Sequence, residues 1–328
     1  MTNRALFLLA AVLGAGGLSL TGCDPGPNEK GGQSTPTQGR LLVGVDETFA
    51  PIMQAEVDTF SKLYTQANVK LQFEPEEKVF VDFINGDVTL AVAARQLNAE
   101  ELGEMKKQNI TPQTTHIGID GLAILLHPSN PDSLLTLTQL RAIFTGQTTQ
   151  WSQLSGHKTL SDINVVFDAN RSSTTRFVRD SLTRGAALTS RAFATKSNPA
   201  LIDYVATHPN AIGVVGVNWI SDRDDPKAAG FLTKVRVAAI TARPNPAPAD
   251  FIQPYQVYLA EKTPEQLAEY PDLQNYPLRR NLYIISREAR TGLGTGFASF
   301  VAAKNGQLIF QKSGLMPAHI QARIVTTK

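Results

Sequence analysis

Short apolar strands alternate with amphipathic helical stretches along almost the whole chain, and this alternation restricts the fold more than any other feature. Arg40 to Val45 ("RLLVGV") reads as a strand, and Ala50 to Thr65 carries Ile52, Val57, Phe60, Leu63 and Tyr64 at helical spacing. "VKLQFEP" is a second strand, followed by a helix over Val79 to Asn85. "DVTLAVAAR" is a third, leading into a polar helix that runs through Gln108. Next come the long apolar strand "HIGIDGLAILLHP", closed by Pro128, and a Leu-rich helix from Leu137 to Phe144. Ile163 to Phe167, "AIGVVGVNWI", "KVRVAAI" and "LRRNLYIIS" are further strands, and two helices that include "FASFVAAKNGQLIFQKSG" end the chain. Such βαβ alternation predicts an α/β fold of mainly parallel sheets flanked by helices. It contains no tandem repeat.

In sheets of this kind, sites form where strands end and loops feed helix N-termini. One such junction stands out. After Ile163 to Phe167 the chain reads Arg171, Ser172, Ser173, Thr174, Thr175, Arg176, and an apolar helical pattern then continues through Phe177, Val178, Leu182 and Ala186. A helix N-terminus already carries partial positive charge, so two flanking arginines create a conflict that an anion would resolve. Backbone N–H groups, hydroxyls and a guanidinium together make an oxyanion cradle. The plainer alternative is a capping serine beside solvated arginines, although four consecutive hydroxyls exceed what a cap requires.

The N-terminus sets the compartment. Residues 1 to 22 read as a secretory signal, with Arg4 before the uncharged run Ala5 to Leu20. That run falls short of the roughly 20 residues a membrane span needs. It ends in Leu20-Thr21-Gly22-Cys23, which resembles the lipobox of bacterial lipoproteins and implies lipidation at Cys23. Cys23 is the single cysteine of 328 residues, so it has no intrachain disulfide partner. Asp24 to Gly39 is rich in Pro, Gly, Asn, Gln, Ser and Thr, the composition of a flexible tether spanning roughly 20 Å as a coil. The expectation is a lipid-anchored protein of the cell envelope, facing the periplasm or exterior.

The remaining body, about 290 residues, is long enough for two domains. Without the signal it carries one more basic than acidic side chain, and no basic run with interleaved aromatics points to nucleic acid. With 42% hydrophobic residues it should be globular. The histidines at 116, 127, 157, 208 and 319 lack paired ligand spacing, so neither a metal nor any other cofactor is expected. Gly292, Gly294 and Gly296 form a GxGxG without dinucleotide spacing, read as a loop before a helix capped by Thr295. No G-x-S-x-G surrounds Ser172 or Ser173, and Trp151 and Trp219 read as packing residues.

Several segments share a family likeness. "TLTQLRAIFTGQTTQWSQL" resembles the helix and Ile-Phe-x-Gly-x-x-x-x-Trp stretch of PstS-type phosphate-binding proteins, the substrate-binding lipoproteins of phosphate ABC transporters. "VVFDANRSSTTRF" is similar to their Gly-Ser-Gly-Thr phosphate loop, and "AIGVVGVNW" and "GQLIFQKSGLMP" resemble later elements in the same order. The resemblance implies a two-lobed type II periplasmic-binding-protein fold with the ligand in the cleft between lobes. Residues 40–122 and 236–328 would form lobe I and residues 123–235 lobe II. It also implies phosphate or a related oxyanion as ligand, ABC permease subunits as partners, a monomer, and no catalysis.

By the same resemblance Thr48 and Phe49 match the first contact loop, and Ser172, Ser173 and Thr174 the phosphate loop. The glycine that precedes that loop in the family is Arg171 here. The family's contacting arginine falls on Asp168, leaving Arg171 or Arg176 to substitute. The serine of the second loop is replaced by the acidic stretch around Glu74 and Pro75. The family's proton-accepting carboxylate falls at Ala94 and Arg95, so selectivity for phosphate over another oxyanion is open. Two other classes stay in view: a phosphate sensor or scaffold without transport, and an envelope hydrolase of phosphorylated substrates, for which Asp168 is the local acid–base candidate.

Overall fold

A computed structural model describes residues 34–155, 162–222, 224–269 and 274–318. The signal segment, Cys23 and residues 24–33 of the tether lie outside the described residues. So do His157 and His319.

The chain opens with β1 (Gly39–Asp46), α1 (Ala50–Leu63), β2 (Ala67–Glu74), α2 (Glu76–Asn85), β3 (Leu90–Ala93), α3 (Ala99–Lys107) and the long strand β4 (Gln113–Leu126). Strand β1 pairs in parallel with β2 and β3 through the crossovers α1 and α2. Val43 and Gly44 are both buried, as an inner strand covered on two faces requires. Helix α3 starts at a capping box in which Asn98 and Glu101 satisfy each other's backbone N–H groups.

The middle of the chain contributes β5 (Leu134–Thr136), α4 (Leu137–Phe144), α5 (Ser152–Ser155), β6 (Asn164–Phe167), α6 (Ser173–Phe177), β7 (Ala192–Ala194), α7 (Asn198–Thr207), β8 (Ala211–Gly216) and α8 (Pro226–Lys234). There follow β9 (Arg236–Val237), β10 (Ala239–Thr241), α9 (Gln256–Leu259), α10 (Pro264–Glu269), β11 (Arg279–Ser286), α11 (Leu293–Ala302), α12 (Lys304–Lys312) and β12 (Met316–Pro317).

One curled sheet runs through the body in the order β2-β1-β3-β11-β4-β8-β6-β7, with β9 and β12 also on β4. Strand β4 serves two halves. Residues 113–121 pair antiparallel with β11, and residues 122–126 pair antiparallel with β8. The change of partner falls at Gly121, where a Cβ would meet the end of the Leu259 side chain at 2.8 Å, so any larger residue would push that buried leucine of α9 aside. Parallel pairing holds within each half (β1 with β2 and β3, β6 with β7 and β8), while β4 and β11, which join the halves, run antiparallel to their neighbours. The main apolar cluster is continuous through both halves. A second one, with Val79, Phe80, Phe83 and Met105, lies under α2 and α3.

Three local readings change. "KVRVAAI" breaks into β9 and β10, because Ala238 N turns to bond Ile124 O and β10 then pairs with β5 in a separate ribbon. Gly294 and Gly296 lie inside α11 instead of a loop. There the Glu288 carboxylate, not Thr295, caps the helix by accepting from Gly294 N and Thr295 N at 2.9 and 2.7 Å. The helix after Thr175 does not reach Ala186 but widens into a π-turn over Val178–Leu182 and stops.

Candidate functional site

Strand β1 ends at Asp46, which caps a single 3-10 turn, Glu47–Phe49, by accepting from Thr48 N at 3.1 Å. The turn delivers Asp46, Thr48 and Phe49 to the sheet's carboxyl edge, each fully buried. From the second half, β6 ends beside Asp168, and the chain reverses through Arg171 to start α6. Arg171 has φ +63°, a left-handed conformation that strains any residue with a Cβ. Ser172 then caps α6 by accepting from Thr175 N at 3.2 Å, and its hydroxyl donates to Asp168 Oδ1 at 2.6 Å.

These two loops meet. Thr48 Oγ1 lies 3.0 Å from Asp46 Oδ1, 3.1 Å from Asp168 Oδ2 and 3.5 Å from Thr174 Oγ1. Ser173 N donates to Asp46 Oδ2 at 3.3 Å. The Thr48 carbonyl accepts from Asn218 Nδ2 and Trp219 Nε1, which fixes the first loop against the second half.

Among the described residues one cation enters this cluster, and it comes from a strand. Arg280 of β11 stands opposite Asp120 of β4 in the sheet register and donates to its carboxylate at 2.9 Å. The guanidinium then reaches Ser173 Oγ at 2.8 Å and lies 4.8 Å over the Phe49 ring. The Arg280 side chain is 2% exposed. Charged groups held out of water need partners, and here each of the two has one.

The carboxylates feel that burial. Asp46 is pushed up to about 7, first by desolvation and then by the charges of Glu76 and Asp168. Its hydrogen bond with Ser173 and the Arg280 charge oppose the rise. Asp120 is raised by burial against the pull of Arg280. Glu47 is raised by burial and by Asp168, although Asn198 donates to it at 2.5 Å. Hydroxyls and a guanidinium can bind oxygen atoms of an anion, while the negative charge of nearby carboxylates opposes one. Among the described residues no group of three or more His, Cys, Asp or Glu is arranged to hold a metal ion.

Of the residues singled out in the sequence, Thr48, Phe49, Ser172, Ser173 and Thr174 come together here. The three arginines do not enter the cluster; each is engaged by a glutamate. Arg176 Nε donates to Glu76 at 2.5 Å, and Arg171 pairs with Glu77 at 2.9 Å. Arg95 grips Glu101 with two bonds of 2.7 Å while stacking 3.9 Å over Phe80. The cation missed in the sequence is Arg280. Its signal was present, since Arg280 shares the buried face of its strand with Leu282 and Ile284 at a spacing of two. The family's carboxylate has no counterpart in the sequence at Ala94 and Arg95, but the fold brings the Glu76 carboxylate there, where Oε1 accepts from Ala94 N at 3.0 Å, and Asp46 and Asp168 bring carboxylates to the cluster from other loops.

Comparison with known proteins agrees with this architecture. The chain is 24% identical over 329 residues to the phosphate-binding protein PstS of Pseudomonas aeruginosa, covering 95% of this chain and 93% of that one. It is 26% identical over 131 residues to phosphate-binding protein PstS 2 of Streptococcus agalactiae, a match that spans less than half of that relative, 43%. A crystal structure from Clostridium perfringens, assigned to phosphate ABC transporter substrate-binding proteins and holding phosphate, superposes with a TM-score of 0.65 at 22% identity, over 85% of this chain and 99% of that one. The family model of the PBP superfamily domain matches residues 31–305, and the chain belongs to that superfamily.

Proposed function

We propose that this protein captures inorganic phosphate, or a closely related oxyanion, in the cluster between its two halves and hands it to an ABC permease. The observation that carries the reading is the buried meeting of Thr48 from one half with Ser172, Ser173 and Thr174 from the other, beside Arg280. A binding site split between halves fills when they close and empties when they part, which is what delivery requires. The relatives' names support phosphate as the cargo. The ligand contacts proposed are Thr48, Ser173, Thr174 and Arg280, with Phe49 supporting the guanidinium and Ser172 holding Asp168. Residues 40–122 and 236–328 form one lobe and residues 123–235 the other in this reading, consistent with the change of partner along β4.

Calorimetry on the purified protein with phosphate, arsenate and sulfate tests the proposal. One phosphate per chain is expected, weakened by Thr174→Val. Tight sulfate binding without phosphate binding would overturn it. Capture takes place outside the cytoplasm, with the chain anchored by lipid on Cys23; among the described residues no helix is long and apolar enough to cross a membrane. Cys23→Ala should release the protein from the membrane fraction or leave a precursor. Unaltered attachment would refute the anchor.

A further inference from the structure

The charged groups around Glu76 form a chain that crosses from one half to the other. Glu76 opens α2, and its own half holds it: Oε1 accepts from Ala94 N at 3.0 Å, and Arg95 Nε lies 3.7 Å from Oε2. From the other half, Arg176 of α6 donates Nε to Oε2 at 2.5 Å and Nη2 to Oε1 at 3.2 Å. Glu76 is 3% exposed and Arg176 24%, so this pair is shielded from solvent. Next to it the exposed pair Arg171–Glu77 repeats the same crossing, and Glu77 N approaches Arg171 O at 3.5 Å. Both helix starts benefit, because the glutamates compensate the α2 dipole and also neutralise the arginines that burden α6.

We propose that Glu76 and Arg176 form an ionic latch across the mouth of the cleft, with Glu77 and Arg171 as a weaker second clasp, and that the latch sets how fast the cleft opens. Opening strips Arg176 from a carboxylate that is 3% exposed here and held by Ala94 N, which makes this pair costly to break. The outer pair is exposed and contributes little by itself. The latch goes beyond the phosphate reading, since it holds the halves whatever lies between them.

The test uses Trp219, which donates to the Thr48 carbonyl across the halves at 2.8 Å and, with Trp151 changed to Phe, is the single tryptophan left of two. In that background Arg176→Gln should shift Trp219 emission to the red and speed phosphate release about tenfold, as expected for a partly shielded pair. Salt near 1 M, where the Debye length falls to ~3 Å, should do part of the same in the parent and little more in Arg176→Gln. Arg171→Glu should loosen the cleft slightly, and adding Glu77→Arg should restore it. Arg179→Gln is the control, because Arg179 pairs with its neighbour Asp180. Unchanged emission and release in Arg176→Gln, or no recovery in the charge swap, would overturn the latch. Absence of phosphate binding would sink the ligand reading, while the emission arm would still decide the latch.

Discussion

Arg280 gives the sharpest test of the site, because its structural and binding roles can be separated. It is buried against Asp120 and donates Nη1 to Ser173 Oγ at 2.8 Å. Arg280→Met alone leaves the Asp120 carboxylate, with 0% exposure, without its cation. Removing one member of a buried pair costs about 3–5 kcal/mol. For a body of this size that lowers the melting temperature by roughly 10 °C. Arg280→Met with Asp120→Asn removes both charges at nearly unchanged volume, and losing both members of a buried pair costs far less than losing one. The double variant should therefore melt near the parent. Binding should not recover, because a charge-assisted hydrogen bond is typically worth about 1.5–3 kcal/mol, or roughly ten- to a hundredfold in affinity. Thermal melts and phosphate calorimetry on the three proteins decide the matter. A double variant that binds phosphate as tightly as the parent would show that Arg280 only ties β11 to β4.

Three further outcomes follow from individual residues. Glu56 is fully buried with neither carboxylate oxygen hydrogen-bonded, and burial pushes it up to about 9. The folded state therefore keeps a proton that the unfolded chain loses near pH 4.5, and stability falls as pH rises from there toward 9. Glu56→Leu should flatten that decline and raise the melting temperature at pH 8; an unchanged pH profile would count against it. Asp46, pushed up to about 7, adds negative charge to the cluster as it ionises, so phosphate affinity should drop through that pH in the parent and less in Asp46→Asn, as read by calorimetry across pH 6 to 8. Gly296 sits in α11 where a Cβ would fall 1.9 Å from the Pro36 carbonyl, beside Ser34, whose hydroxyl accepts from Leu293 N at 3.0 Å. Gly296→Ala should lift residues 34–38 off the helix and speed their proteolysis, and an unchanged cleavage rate would refute that packing.

Much of the fold was legible in the sequence because it rests on local periodicity. Ile52, Phe60 and the β1 alternation mark their elements without any tertiary information, and the strand–hydroxyl–helix junction at Ser172 is where it was expected. Helices α7 and α8 were not read, and neither were the strands β5 and β7, since three-residue strands carry too little pattern to separate from loop. The site was half legible. Hydroxyls at a helix start announce themselves, but a cation's partner is decided by folding. Arg176 and Glu76 stand 100 residues apart, and Thr48 and Thr174 126 apart, so their meeting depends on the tertiary fold and not on any local spacing.

The conflict between two arginines and a helix N-terminus is real, and an anion does resolve it, but that anion belongs to the chain. Glu76 and Glu77 occupy the first turn of α2, and the two ion pairs join the start of α2 to α6 and the loop before it. The acidic start of α2 and the arginines that flank Ser172 to Thr175 therefore answer each other's charge. The consequence reaches inward, because Glu76 is also a charge that raises Asp46. With Arg176 on Glu76 the cluster is spared part of that repulsion; with the latch broken, Asp46 holds its proton more firmly. Closing the cleft and setting the charge beside Ser173 are then coupled through a single carboxylate, which gives the rim pairs an influence on the buried hydroxyls that they never touch.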